Sequence, residues 1–279
     1  MNTKLSDLLG VAPAGLEKNG VFNALVNRDS LVYIDPHALL TAQIPELQQA
    51  NLRYRRYASG MIRLLQVSAK TDDVFYSEVL GEFQANADPC FHFSHAISRG
   101  VMGMKHEMAV AIAATARKFV KAGITEPEIF TIISVLEGIE MKRSGYMAAQ
   151  IVLPNLFAFT DRVVKSLNIE GGLYRYMGKE YMVPFHPLDS KPIILMPAEF
   201  LSLSPVAYNW GENDQISAEN DVVKMMVQPQ LGNNWKEAFD NCYPSVIKKV
   251  LFLHPSLMVD MIRVYRNKQS NAISAEMTV

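Results

Sequence analysis

The stretch Gly171-Gly172-Leu173-Tyr174-Arg175-Tyr176-Met177-Gly178-Lys179-Glu180-Tyr181-Met182-Val183-Pro184-Phe185 decides the fold class. Leu173 to Met177 and Tyr181 to Phe185 flank the turn residues Gly178-Lys179-Glu180 and read as a β-hairpin. Almost everything before it reads as helix. The chain is therefore α+β and mainly helical, with a small antiparallel sheet made of hairpin 173–185 plus one or two short strands. The short strands are Leu31-Val32-Tyr33-Ile34, stopped by Asp35-Pro36, and Ile193 to Met196, set between Pro192 and Pro197. The change of composition at Ile169 to Gly172 divides a helical lobe with one short strand (1–169) from a mixed lobe (170–279). In the mixed lobe the hairpin precedes helices near 214–227, 234–252 and 256–267.

Working outward, the helices carry explicit signals. A long one begins at Pro45, where Leu47, Tyr54, Ala58, Met61 and Leu65 mark one apolar stripe. Another follows Thr71-Asp72-Asp73. Lys105 to Ala122 is alanine-rich, carries Arg117, Lys118 and Lys121 in its last turns and stops at Gly123. Thr125 and Glu128 have capping-box spacing ahead of the dense apolar run Ile129 to Ile139, which reads as a core helix. Pro154 opens a helix that closes at Asn168. Residues 86–103 break the pattern, and a loop of that length reads as functional or interface-forming.

Composition limits the function. Of 279 residues, 27 are Lys or Arg and 28 are Asp or Glu, so no global field selects a partner. Two cysteines, Cys90 and Cys242, make no disulfide framework and fit a reducing compartment. Asp7 stands where a signal peptide would begin its apolar core, and no apolar run approaches a membrane span, so a cytoplasmic location without membrane is expected. Locally, Arg53, Arg56 and Arg63 share the helix side opposite the apolar stripe. That pattern reads first as a solvated face and second as a strip for nucleic acid or an acidic partner.

Two constellations can be weighed for chemistry. Cys90, His92 and His95 offer three zinc ligands within six residues, with Asp88 as a fourth, but no second ligand pair follows downstream. Phe91 and Phe93 alternate with them, as in an extended segment that buries one face, and a packed loop is the favoured reading. A metal-dependent nuclease would use Glu180, Asp189 and Lys191, since Asp189-Ser190-Lys191 has acid-x-Lys spacing. Glu140-Met141-Lys142 has it too, and two such triplets are about what chance gives in a chain with 28 acids. No phosphate loop, nucleophile elbow or dinucleotide fingerprint is present, so no cofactor is expected.

Several phrases together resemble an uncharacterised family of bacterial proteins associated with mobile elements and anti-phage or anti-plasmid defence loci. They are Val32-Tyr33-Ile34-Asp35-Pro36, the glycine-containing loop 98–103, and Gly123-Ile124 with Pro127-Glu128-Ile129-Phe130. Glu137-Gly138-Ile139, Phe159-Thr160-Asp161 and Lys191-Pro192-Ile193-Ile194-Leu195-Met196-Pro197 complete the set. The family pattern after Glu137 carries two acids four apart on one helix face. Lys142 and Tyr146 stand there in this chain. The resemblance thus implies a non-catalytic accessory or scaffolding subunit of a defence complex, with protein partners that include an ATPase and a nuclease. The alternatives are the metal-dependent nuclease and a nucleic-acid-binding module using Arg53, Arg56 and Arg63.

Overall fold

A computed structural model of the chain describes residues 3–27, 32–84, 91–95, 104–137, 141–202, 225, 228–230, 232 and 244–263. It is mainly helical α+β. The helices are α1 (Leu5–Leu9), α2 (Pro13–Lys18), α3 (Pro45–Val67), α4 (Val74–Gln84), α5 (His106–Lys121), α6 (Ile129–Leu136), α7 (Met141–Ile151), α8 (Leu153–Leu167) and α9 (Pro244–Leu253). Residues 256–263 are also helical. The strands are β1 (Tyr33–Ile34), β2 (His92–Phe93), β3 (Gly172–Tyr176), β4 (Lys179–Val183), β5 (Ile193–Ile194) and β6 (Leu201–Ser202). Among the described residues, no helix is long and apolar enough to cross a membrane.

The chain divides into two compact units. One gathers Met1–Tyr54, Ala87–Met102 and Ala148–Leu203, and the other gathers Arg55–Asn86, Gly103–Met147 and Ser204–Val279. The change of composition at Ile169 to Gly172 therefore lies inside the first unit, where it marks the passage from α8 to β3. The sequence helices near 214–227 and in the first part of 234–252 fall largely outside the described residues.

The first unit is built around α8 and the extended run after it. Leu5, Leu16, Val21, Phe159, Val163, Val164, Ile169, Ile193 and Leu195 form one buried cluster. The hairpin β3–β4 pairs Tyr176 with Lys179, so its turn is the two residues Met177 and Gly178, not three. Both have positive φ, the geometry whose twist matches a two-residue hairpin. Tyr174, Tyr176 and Tyr181 stack on Phe157 of α8 with centroids 4.7–5.4 Å away. A side chain at Gly171 would collide with the backbone carbonyl of Val183, so this close approach requires glycine.

The run Ile193 to Met196 does form a strand, but it does not extend the hairpin sheet. Its β5 pairs in parallel with β2, matching Phe93 to Ile194. Ile193, Ile194, Leu195 and Met196 are all completely buried. Their backbone groups are satisfied singly. The Leu195 N–H donates to the Thr160 hydroxyl at 3.0 Å, and the Met196 N–H donates to the Ser94 hydroxyl at 3.0 Å. The N–H of Ile193 reaches the Pro184 carbonyl, and the Phe22 N–H reaches the Met196 carbonyl. Further on, β6 pairs antiparallel with β1. Glu199 accepts the N–H groups of Gln43 and Ile44 just before α3.

The second unit packs α4, α5, α6 and α9. Phe83 meets Phe130 edge to face, and Phe119 lies against Phe252. Ile129, Phe130, Ile132, Ile133 and Leu136 are buried, so α6 is the core helix that its composition suggests. Glu128 does not close a capping box. It is buried, and it accepts a hydrogen bond from the guanidinium of Arg55 at 2.6 Å. Glu137 likewise accepts from the Thr115 hydroxyl and, at 2.9 Å, from Lys248. The stripe read along α3 is buried at every position named.

Asp73 caps α4. Its carboxylate takes the N–H of Tyr76 at 2.8 Å and those of Ala69 and Lys70 at 2.6 and 3.1 Å. The Tyr76 N–H lowers its pKa most. Burial opposes that, and the Lys70 and Ala69 N–H groups and the Ser68 hydroxyl add to the lowering, from 3.8 to about 2. A depressed carboxyl stabilises the fold in full above the unfolded value and ceases to do so as pH falls through the folded one. Urea midpoints recorded from pH 5 down to pH 2 should therefore show a steeper acid loss in the native chain than in Asp73→Asn. Independently, Thr160→Val keeps the shape of the side chain but orphans the buried Leu195 N–H. It should cost about 1–3 kcal/mol in urea unfolding, with Thr160→Ser close to the native chain.

Candidate functional site

The period of an extended chain explains the first piece of the site. Phe91 and Phe93 are buried on one side of β2, with rings edge to face at 5.2 Å, while the half-buried His92 points to the other. His95, in the turn that follows β2, is buried with its ring 6.0 Å from that of Phe93. The two histidines therefore differ in setting, His92 half-buried in the strand and His95 buried in the turn after it. Cys90 lies outside the described residues.

The second piece is the loop that joins β4 to β5. Phe185 and Pro192 form an antiparallel bridge at its base. Above it, the His186 N–H donates to the Lys191 carbonyl at 2.8 Å, and the Ser190 N–H donates to the His186 carbonyl at 2.9 Å. Ser190 has a φ of +55°, a conformation uncommon outside glycine that tightens this turn. Asp189 is held within it, its Oδ1 accepting the Lys191 N–H at 3.2 Å.

The two pieces meet because β2 and β5 are paired, with the His92 N–H on the Pro192 carbonyl at 2.8 Å. His92 Nε2 lies 2.8 Å from Asp189 Oδ2, and His186 Nδ1 lies 3.0 Å from Asp189 Oδ1. The two imidazole rings sit edge to face with centroids 5.1 Å apart. All three donor atoms fall within 4.8 Å of one another. Among the described residues, this is the place where three such side chains converge. Burial opposes the charge on Asp189. The hydrogen bond from His92, the Lys191 N–H, the charge of His92 and the hydrogen bond from His186 outweigh it, and hold the carboxyl at about 2. Asp189 is therefore a carboxylate at any ordinary pH.

The residues of the nuclease expectation are distributed differently. Glu180 is exposed on β4, opposite Arg175 in the hairpin register, and does not belong to the group around Asp189. Lys191 contributes its backbone N–H to Asp189. Of the arginines, Arg53 is in the first unit and donates its Nε to the Ile151 carbonyl at 3.0 Å. Arg56 and Arg63 are exposed on the part of α3 in the second unit. Lys142 and Tyr146 are both on α7, and Tyr146 is buried.

His186 is the residue that sequence reasoning passes over. Its spacing of three from Asp189, across Pro187 in a short turn, was the available signal. Its neighbourhood with His92 depends on a parallel pairing that spacing does not reveal.

The model of the family described as a domain of unknown function (DUF8370) matches residues 10–209, and the chain belongs to that family. No curated protein and no solved structure matches the chain. The matched span includes β2, the 186–191 turn and β5. Asp189→Ala removes the acceptor shared by both imidazoles and by the Lys191 N–H. In that variant, hydrogen exchange of the Ser190 and Lys191 amides should accelerate at least about tenfold, while the α8 amides keep their protection.

Proposed function

We propose that the protein is a non-catalytic accessory or scaffolding subunit of a bacterial defence assembly directed against phage or plasmids. It works in the cytoplasm, and the chemistry resides in partner subunits, an ATPase and a nuclease. The resemblance of its sequence phrases to proteins of such loci motivates the reading. The single observation that supports a non-catalytic role over a nuclease is the disposition of the acids. A nuclease of the kind considered gathers carboxylates and a lysine around one magnesium-type cation, which prefers oxygen ligands. Here Asp189 spends both carboxylate oxygens on histidines, and Glu180 stands apart on the exposed hairpin. Tyr146, at one of the two positions where the resembled family has an acid, is buried in α7.

A second reading, a nucleic-acid-binding module, draws on the exposed Arg56 and Arg63. One experiment separates the two. The full chain, tagged and expressed with its genomic neighbours, is purified and its companions are identified by mass spectrometry. The subunit reading expects a stoichiometric partner bearing ATPase or nuclease motifs. A chain that elutes without partners overturns it. Co-purifying nucleic acid whose binding falls steeply with salt, and is lost in Arg56→Glu/Arg63→Glu, puts the binding module in its place.

A further inference from the structure

We propose that His92 Nε2, His186 Nδ1 and the Asp189 carboxylate form a binding site for one divalent transition-metal ion of the zinc class. The argument is geometric. Ligands about 2.0–2.1 Å from a tetrahedral zinc ion stand about 3.3 Å from one another. His92 and His186 each face a different oxygen of the carboxylate, at 2.8 and 3.0 Å, a few tenths of an ångström below that spacing, and a bound ion would take one of the two oxygens. One donor atom from each of the three side chains falls within 4.8 Å of the others, so the approach needed to close on one ion is about an ångström or two, the reach of ring rotation.

The backbone that carries these donors is fixed before any metal arrives. His92 is tied to Pro192 by the β2–β5 pairing, and His186 is tied to Lys191 and Ser190 by the two hydrogen bonds that close the turn. The Lys191 N–H on Asp189 Oδ1 supplies the outer contact that orients a ligating carboxylate. A site held by such supports loses little freedom on binding.

The donor set also fixes the class of ion. Two imidazoles and one carboxylate suit zinc and its transition-metal neighbours, whereas magnesium and calcium favour oxygen throughout. The rings are mostly covered, with side chains 14% and 17% exposed, while the Asp189 side chain is 38% exposed. The site is therefore reachable from solvent, and three protein ligands leave one position for water or an exchangeable ligand. The inference and the subunit reading draw on the same three side chains, because a bound ion would replace the hydrogen bonds between the two histidines and Asp189; the partner experiment tests the subunit reading separately.

The test uses the full chain stripped with chelator, dialysed, and titrated with zinc chloride by calorimetry and with cobalt chloride by visible spectroscopy. The expected result is one equivalent per chain, unaffected by millimolar magnesium, with the intense visible bands of four-coordinate cobalt. Zinc should also slow amide exchange across residues 186–191. In Asp189→Asn, and in His92→Ala/His186→Ala shown to be folded by circular dichroism, affinity should fall at least about tenfold. Absence of saturable binding to the native chain overturns the proposal and leaves a hydrogen-bonded pin only. So does one equivalent bound with the same affinity by the folded double variant, which would place the metal elsewhere. Should the double variant fail to fold, the cobalt spectrum and exchange data of the native chain decide.

Discussion

A buried extended backbone with no broad sheet around it must find a separate partner for each of its polar groups, and the run 192–196 meets that constraint with partners from several parts of the chain. An unsatisfied N–H in such a place costs more than a made hydrogen bond gains. The Thr160 and Ser94 hydroxyls, the Pro184 carbonyl and the Phe22 N–H each take one group, and the His92 and Ser94 N–H groups take the carbonyls of Pro192 and Ile194. These partners come from α8, from the segment 91–95, from the residue that follows the hairpin and from the N-terminal segment. The first unit is therefore organised around one strand instead of one sheet. Because the same strand pairs with β2 and closes the 186–191 turn, it also brings His92 against Asp189.

Much of the fold is legible in the residues, wherever the signal is local. The stripe Leu47, Tyr54, Ala58, Met61 and Leu65 repeats within one helix, and the hairpin joins strands that are adjacent in sequence, although its turn is Met177-Gly178 and not Gly178-Lys179-Glu180. Such patterns need no knowledge of the rest of the chain. The two-residue strands β1, β2, β5 and β6 lie at the opposite extreme. Two residues carry no periodicity, and their pairing is set by burial elsewhere. The site inherits this. Phe91 and Phe93 announced which way His92 would point, but nothing in the spacing told Asp189 from the other acids or joined His186 to it.

Glu128 shows how tertiary demand overrides a local rule. Its spacing from Thr125 suits a helix cap, yet the side chain is buried and accepts from Arg55, 73 positions away. Burial of a carboxylate is tolerable when a cation and its hydrogen bonds come with it. Glu137 repeats the solution with Thr115 and Lys248. In the second unit, then, acids that look like helix punctuation serve to register α3, α5, α6 and α9 against one another.

The pairing of β2 with β5 bears on how the chain reaches its native state. Ser94 and Met196 are 102 positions apart, and β1 pairs with β6 over a still longer stretch. Closing loops of that length costs entropy before any contact repays it, so topologies of this kind are slow to form. During synthesis, α1, α2 and the early part of α3 emerge well before the segment that completes their core. The first unit must wait, incompletely packed, until residues 192–202 arrive. Ribosome stalling or truncation ahead of that point would strand an apolar N-terminal half without the strand it is meant to enclose.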